Sequence, residues 1–599
     1  MLAYLAGLLR DAGRRFGPFL DWIGDLKRPE ILKADIIAGI TVALVLIPQS
    51  MANAQLAGLP PEIGLYSAFL VPIVAALFGS SRQLQNGPVA IISLMSAAAL
   101  IPLGLRAQEY IAYAAMLAIL AGVMQLLLGF LRLGVMVDFL SHPVIIGFIN
   151  AAAIVISSLQ ISKLFGINNV QGEHLYETLW NLALAIPGQS HLPTVVMGLF
   201  SLALLVAIKK LAPKIPAILA TVVITTLVSW LMRYDLKGGA IVGEISQGLP
   251  SFIFPSIDPG NLSALLLPAF MIAILSFVEA FSIAKAVASK TRQHLSADQE
   301  MVGKGLANVV AGFSQGYAVS GSFSRTAVAF DAGAKTGFTA IVSGIIVGIT
   351  LVYFTPLLYY IPIATLAAVI IVAVIGMIQF EPFKHAWKVN PHDGVVAFTV
   401  FAGTLYFAPH LEWGIFMGVA LSIGLYIYRT MQPHFAEVAM DADGTFRDAH
   451  LFGMQTSDTL ALFRYDGDLY FANASYLEKR LLNAIADKPQ LKVLLLDLEA
   501  VDQIDVTGEE MLRHMAEGLT LAGIDFLITR PKFKLLDTLK RSGLFEVIGE
   551  QNIYSKRSVA LDAIKIRYGD QVDISHLAVH KPVEGTEGED KDEGGASPS

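Results

Sequence analysis

From about Ala34 to Arg429 the chain is one apolar segment after another, separated by short polar breaks. A hydrocarbon core needs about 20 apolar residues per helical span, and each backbone polar group inside it must find its partner within the protein. That requirement points to a bundle of membrane-spanning helices. Composition agrees: 55% of 599 residues are hydrophobic and 15% charged, with mean hydropathy +0.61, outside the range of a soluble protein of this length. The periodicity predicts spans near 35–56, 62–79, 87–103, 109–131, 136–162, 192–210 and 215–233. A second set follows near 262–288, 297–313, 321–333, 337–356, 361–379, 392–409 and 411–429.

The third and tenth segments are too short to cross comfortably. Leu84–Leu94 (LQNGPVAIISL) and Val319–Phe330 (VSGSFSRTAVAF) each pass from polar, Gly-rich residues into a short apolar helix. They hold matching places in two sets of seven. Paired discontinuous segments mark transporters built from an internal repeat, with the site between the half-helices. A helix start offers free N–H groups and the positive end of its dipole, which suits an anion.

Lys and Arg set the expected orientation. Arg10, Arg14, Arg15, Lys27, Arg28 and Lys33 precede the first span, and alternate loops carry Arg82, Arg132, Lys209, Lys210, Lys214, Lys290, Arg292, Lys335, Lys384 and Lys388. The opposite loops carry few. Both termini are therefore expected in the cytoplasm of a multi-pass protein of the cell inner membrane. Residues 1–33 read as an amphipathic cytoplasmic segment, since Arg10, Asp11, Arg14 and Arg15 stand where a signal-peptide cleavage site would be.

The pattern changes after Arg429. Residues 34–430 form the expected transmembrane domain and 431–457 a linker. In 458–570, LALFRY, LYFAN, KVLLLDL and DFLIT read as strands alternating with the helical runs ASYLEKRLLNAIA, GEEMLRHMAEGLTLA and KFKLLDTLKRSG. This is the pattern of a small α/β domain with a mostly parallel sheet. The acidic residues 571–599 read as a disordered tail.

AGITVALVLIPQSMANAQLAGLPPEIGLYSAF (38–69) and GSFSRTAVAFDAGAKTGFTAIVSG (321–344) resemble the signatures of the sulfate permease (SulP) family. LLLDLEAVDQIDVTGEEML (494–512) resembles the core of a STAS domain, which commonly accompanies that family. The resemblance implies an α-helical polytopic protein of fourteen spans in a seven-plus-seven inverted repeat. It also implies a core domain moving against a gate domain, and a cytoplasmic STAS domain. Family members carry sulfate, bicarbonate, chloride, oxalate or dicarboxylates and commonly form homodimers.

Several residues carry the expected chemistry. Gln49 follows Pro48 inside the first span, where its amide can donate to an oxyanion or simply bond to a neighbour at a kink. Asn53 lies one turn on, on the same face; many relatives carry an aromatic residue there. Pro88, Val89 and Ala90 open the first half-helix, proline suiting an early helical position. Phe323, Ser324 and Arg325 face them from the second. Arg325 is a charge within a span, which is expensive and usually functional, the alternative being a structural ion pair. Glu279, in SFVEAFSIAKA (276–286), has three readings: proton coupling, a cation ligand, or a static pair with Arg325 or Lys285. Lys304 and Asp331 read as snorkelling or interfacial. Thr507 reads as the N-cap of its helix, with a regulatory phosphorylation site as the alternative.

No Walker A run, metal-spaced His cluster or nucleophile–base pair is present, and there is no cysteine. The expected function is therefore not enzymatic and needs no cofactor, metal or nucleic acid. It is secondary active uptake of sulfate or a related oxyanion, coupled to protons, by an elevator-like alternating-access mechanism in a homodimer. The alternatives are a sodium-coupled bicarbonate or dicarboxylate transporter and an anion channel or exchanger.

Overall fold

The computed structural model describes residues 17–134, 141–167, 172, 174–212, 216–256, 258–408, 410–441 and 443–577. Residues 1–16 of the predicted amphipathic N-terminal segment and 578–599 of the acidic tail lie outside the described residues. The chain divides into two compact units, up to Ile423 and from Gly424 onward.

In the first unit the helices from Pro29 onward fall into two series. The first is α1 (Pro29–Leu56), α2 (Pro61–Phe78), α3 (Ala90–Leu100), α4 (Ala107–Phe130), α5 (His142–Phe165), α6 (Leu175–Gln189), α7 (Leu192–Leu211) and α8 (Ala217–Leu231). The second is α9 (Leu262–Thr291), α10 (Ala297–Phe313), α11 (Phe323–Asp331), α12 (Phe338–Ile349), α13 (Ile363–Ile375), α14 (Glu381–Val389), α15 (Pro391–Phe407) and α16 (Glu412–Thr430). The two series match member for member. In each, the third helix is short, and a helix absent from the sequence reading (α6, α14) stands between the fifth and sixth predicted spans. Leaving out α6 and α14, seven segments per half reverse the direction of the second half, which gives an inverted repeat. By length and composition alone, seven helices among the described residues can cross a membrane. α3 and α11 fall short because they stop partway.

α1 runs through Pro48 without ending, so this proline removes one backbone hydrogen bond but does not break the helix. α1–α4 pack with α9–α12, whereas α5 packs with α7, α13 and α15. Small residues bring the first group close, as van der Waals packing in lipid requires. A Cβ on Gly303 of α10 would lie 2.5 Å from Gly79 N, and one on Gly305 would lie 2.8 Å from Gly122 O of α4.

Two-residue strands precede both half-helices. β1 (Asn86–Gly87) pairs antiparallel with β2 (Ser320–Gly321), Asn86 opposite Gly321 and Gly87 opposite Ser320. Backbone that leaves the helical state inside a bilayer must find other partners, and each segment here satisfies the other.

The second unit is a six-stranded sheet: β3 (His434–Met440), β4 (Phe446–Asp448), β5 (Leu460–Asp466), β6 (Val493–Asp497), β7 (Asp525–Thr529) and β8 (Ile553–Tyr554), in the order β4-β3-β5-β6-β7-β8. β5 to β8 are parallel, while β3 pairs antiparallel with both β4 and β5. Along β5 and β6 alternate residues enter opposite cores, Ala461, Phe463, Leu494 and Leu496 on one face and Leu460, Leu462, Val493 and Leu495 on the other. Strands buried on both faces read as continuous apolar runs. Three sequence expectations are corrected. The stretch taken as a linker supplies β3 and β4. LYFAN forms no strand beyond an isolated bridge of Leu469 with Ile504. Val572 and Leu577 are buried in the second core, so the tail cannot begin at 571.

The close approach at Gly303 predicts a cost for one added methyl. Gly303→Ala should destabilise the full chain by about 1–3 kcal/mol. In the melting temperature of the purified protein it should fall below Gly424→Ala, where a Cβ meets nothing within 4 Å. Equal melting temperatures would refute the packing described.

Candidate functional site

The starts of α3 and α11 emerge from the β1–β2 pair towards the same space. Val89 precedes α3 in an extended conformation (φ −135°, ψ 149°), and no side chain caps this helix. Ser322 caps α11, its hydroxyl accepting from Arg325 N at 3.4 Å. Ser322 N donates to Gln85 O at 2.9 Å, and Gln85 N donates to Thr326 Oγ1 at 3.0 Å, tying the two approaches together.

Arg325 joins three elements. Its Nη1 donates to Pro88 O at 2.9 Å and to Gln49 Oε1 at 3.3 Å. Asn53 Nδ2 donates to the same Pro88 carbonyl at 3.0 Å. Arg325 is 1% exposed, yet its Nε and Nη2 have no hydrogen-bond partner among the described residues. A buried guanidinium with unsatisfied donors is costly and is an acceptor site in waiting. The Nε2 donor of Gln49 is also unspent among the described residues, since the hydrogen bond at this side chain uses Oε1.

These groups face a cavity of about 1260 Å³. One wall carries Gln49, Asn53, Val89, Ala90, Glu279, Phe323, Ser324 and Arg325. Phe323 is 69% exposed and presents its ring to the cavity. The opposite wall comes from α5 and α13 and is mostly aliphatic, with Ile145, Ile146, Ile149, Val369, Ile370 and Ala373. His142, Lys209, Pro216 and Asp331 also line the cavity.

A dry polar frame supports the wall from behind. Gln125 of α4 donates to Ala273 O and to Ser276 Oγ, both at 2.8 Å, and accepts from Asn308 Nδ2 at 2.9 Å. Asn308 Oδ1 accepts from Val319 N at 2.9 Å, and Ser320 Oγ donates to Ser276 O at 2.8 Å. The approach to α11 is thus fixed by α4, α9 and α10. On the α3 side, Ser93 Oγ and Tyr317 OH are 2.8 Å apart, and Lys304 Nζ donates to Asn86 Oδ1 at 2.8 Å. Asp35 is fully buried and accepts from Lys335 N (2.7 Å), Thr336 N (3.1 Å), Thr336 Oγ1 (2.5 Å) and Thr339 Oγ1 (3.0 Å), which pins α1 to the start of α12.

Most of the residues expected from sequence therefore meet at one cavity, with differences in role. Pro88 stands before α3 instead of opening it, because the helix begins at Ala90; its carbonyl, not the backbone N–H of its neighbours, is the part engaged. Glu279 forms no ion pair with Arg325 or Lys285 among the described residues, and its Oε2 has no hydrogen-bond partner. Lys304 does not snorkel: it is 3% exposed and points at Asn86. Thr507 does not cap its helix, α18 in the second unit (Val506–Leu521, following α17, Ala474–Ala486). Asp505 does so by accepting from Gly508 N at 2.9 Å, which leaves Thr507 exposed. Sequence reasoning missed Asn86 and Asp35 and misread Lys304. The signal was there for Lys304 and Asp35, as charges within apolar segments, the same rule that singled out Arg325.

The sulfate permease family model matches residues 32–400, and the STAS domain model matches residues 452–560. The chain is 33% identical over 556 residues to sulfate transporter 4.1, chloroplastic, of Arabidopsis thaliana, covering 89% of this chain and 80% of that one. It is 33% identical over 547 residues to a probable sulfate transporter of Mycobacterium tuberculosis, covering 90% and 96%. The solved structure of the murine Solute Carrier 26 family member A9 anion transporter in the inward-facing state matches with a TM-score of 0.85 at 24% identity, over 94% of this chain and 95% of that one. That likeness concerns the fold alone.

Arg325→Gln keeps an amide that can reach Pro88 O but removes the charge and the unspent N–H groups. Stabilisation of the purified protein by sulfate should weaken at least about tenfold in half-saturating concentration, equivalent to ~1.4 kcal/mol. A variant that titrates like the parent would show that Arg325 is structural only.

Proposed function

The chain belongs to the sulfate permease family and is a multi-pass anion transporter, not an enzyme; from that premise we propose that it imports sulfate or a related oxyanion together with a proton. The observation that carries this reading is the meeting of two half-helix starts at Arg325, whose Nε and Nη2 remain unpaired. An oxyanion between Ala90 and Ser324 would accept from the first N–H groups of both helices, from Gln49 Nε2 and from Arg325. Each of these donors is fixed before the anion arrives, so little ordering cost falls on binding. Sulfate is favoured over other oxyanions by relatives named as sulfate transporters at 33% identity.

Proton coupling is assigned to Glu279. It stands on the cavity wall in α9, with one carboxylate oxygen unpartnered. A carboxylate without an ion-pair partner can change protonation without dismantling a bridge. A proton entering with a divalent anion also lowers the charge that must cross the low-dielectric core.

The two walls of the cavity suggest the movement. The polar wall belongs to α1, α3, α9 and α11. The facing wall is mostly isoleucine, valine and alanine, and the hydrogen bond from Lys163 Nζ of α5 to Gln55 O of α1 at 3.3 Å has to break for the polar group to translate across it with its anion. We assign α1–α4 and α9–α12 to the moving core and α5–α8 and α13–α16 to the gate, working by elevator-like alternating access. The Lys and Arg distribution puts both termini and the Lys209 end of the cavity at the cytoplasm. The cavity is then open inward. A homodimer in a cell inner membrane completes the proposal, on the habit of the family.

Labelled sulfate uptake into proteoliposomes tests the reading. An inwardly directed proton gradient should drive accumulation above equilibrium, and sodium should not replace it. Glu279→Gln should abolish accumulation while sulfate–sulfate exchange persists. Accumulation by this variant with unchanged pH dependence would remove Glu279 from the mechanism, and accumulation driven by sodium alone would replace the proton by a cation.

A further inference from the structure

Lys304 lies within α10, flanked by Gly303 and Gly305, whose missing side chains press the helix against Gly79 and Gly122. The backbone around it is therefore clamped on both sides. Its ammonium is buried, and the hydrogen bond it makes is the one to Asn86 Oδ1. Asn86 pairs with Gly321 and stands two residues before Pro88, whose carbonyl receives Arg325 and Asn53. Lys304 thus sits immediately behind the start of α3, on the side away from the cavity. Burial opposes a charge there. The Asn86 acceptor stands 2.8 Å from the ammonium. Glu300 is one helical turn away, and its Oε2 is occupied by Ser80 N, Ser81 N and Ser80 Oγ at 2.8, 3.0 and 3.0 Å.

Such a charge has an electrostatic consequence for the anion. Arg325 by itself offers one positive charge to whatever binds between α3 and α11. A divalent anion against one cation leaves a net negative site in a low-dielectric interior. A second fixed cation offsets that remainder, and its Coulomb attraction for a divalent anion is twice that for a monovalent one at the same place. We propose that Lys304 is a specificity-determining residue, which selects divalent over monovalent anions by holding a second positive charge behind the first half-helix. The proposal rests on the anion site between α3 and α11.

The test compares inhibition constants for sulfate and for nitrate against labelled sulfate uptake by the full chain, at constant ionic strength. For a variant too slow to transport, the same ratio comes from thermal-shift titration. Lys304→Gln keeps an amide donor for Asn86 and drops the charge. Asn86→Asp leaves the lysine in place and sets a carboxylate against it, so it serves if Lys304→Gln does not fold. In both, the preference for sulfate over nitrate should fall about tenfold, while Lys304→Arg keeps it. A preference unchanged within about twofold, or equal losses for both anions, would make Lys304 a structural residue and overturn the proposal. Gln49→Ala, run alongside, should weaken both anions alike. If Gln49→Ala changes neither, the anion site itself is misplaced and the charge-selection proposal falls with it; if Gln49→Ala weakens both and the Lys304 pair leaves the ratio alone, only the charge-selection proposal fails.

Discussion

The membrane unit depends on two residue pairs, Asn86 with Gly321 and Gly87 with Ser320. A helix that stops inside a bilayer exposes backbone groups to a medium that offers no hydrogen bonds. Here the approaches to two half-helices satisfy each other as a minimal antiparallel ladder. Gly87 also permits close contact: a Cβ there would meet Arg325 Nη2 at 3.2 Å, at a backbone φ of +155°. The strand pair determines where both half-helices begin. The half-helix starts determine where an anion can be held, and Arg325 locks them to α1 through Pro88 and Gln49.

Behind this crossing lies a buried polar network, and the cavity wall in front of it is mostly aliphatic. Gln125, Asn308, Ser276 and Ser320 make a closed set of bonds among α4, α9, α10 and the approach to α11. Such a network is stabilising only when its members are satisfied. Asp35, with four donors, does the same for α1 and α12. The site is therefore carried on elements bonded to one another, as the elevator reading requires of its moving part. The face that α5 and α13 turn to it is mostly aliphatic, and Lys163 Nζ of α5 donates to Gln55 O of α1 at 3.3 Å. A polar carrier sliding on an apolar wall is the physical content of the elevator reading.

Much of this was legible in the sequence. The fourteen segments, the two short ones and their matching places followed from hydropathy and from the abrupt change at Gly87 and at Ser322. Glu279 and Arg325 followed from the cost of charges in lipid, since each interrupts an apolar run, while Gln49 rested mostly on the family resemblance. What could not be read were the partners. The carbonyl of Pro88 has no sequence signature, so its double use by Asn53 and Arg325 was invisible, and α3 was expected to start two residues early. Lys304 was misread: it stands at the middle of the predicted 297–313 span, where the snorkelling open to a lysine near a span end does not apply. The glycines on both sides of it, which forbid that escape by burying the helix, signal their effect only once Gly79 and Gly122 are in place. α6 and α14 were missed because they are short, 15 and 9 residues, and hydropathy finds long apolar runs. β3 and β4 were taken for linker because strands of the sheet's antiparallel edge carry a weaker apolar signal than β5 and β6.

The central claim is that one oxyanion binds between the start of α3 and the start of α11, against Arg325. The most direct measurement is a structure of the full chain with selenate, an isosteric divalent oxyanion whose selenium can be located by anomalous scattering. The account predicts a single strong selenium peak within hydrogen-bonding reach of the N–H groups of Ala90 and Ser324, with Gln49 Nε2 and the free guanidinium nitrogens of Arg325 turned to its oxygens. A selenium peak at the Lys209 and His142 end of the cavity, with the space between the two half-helices empty at saturating selenate, would contradict it.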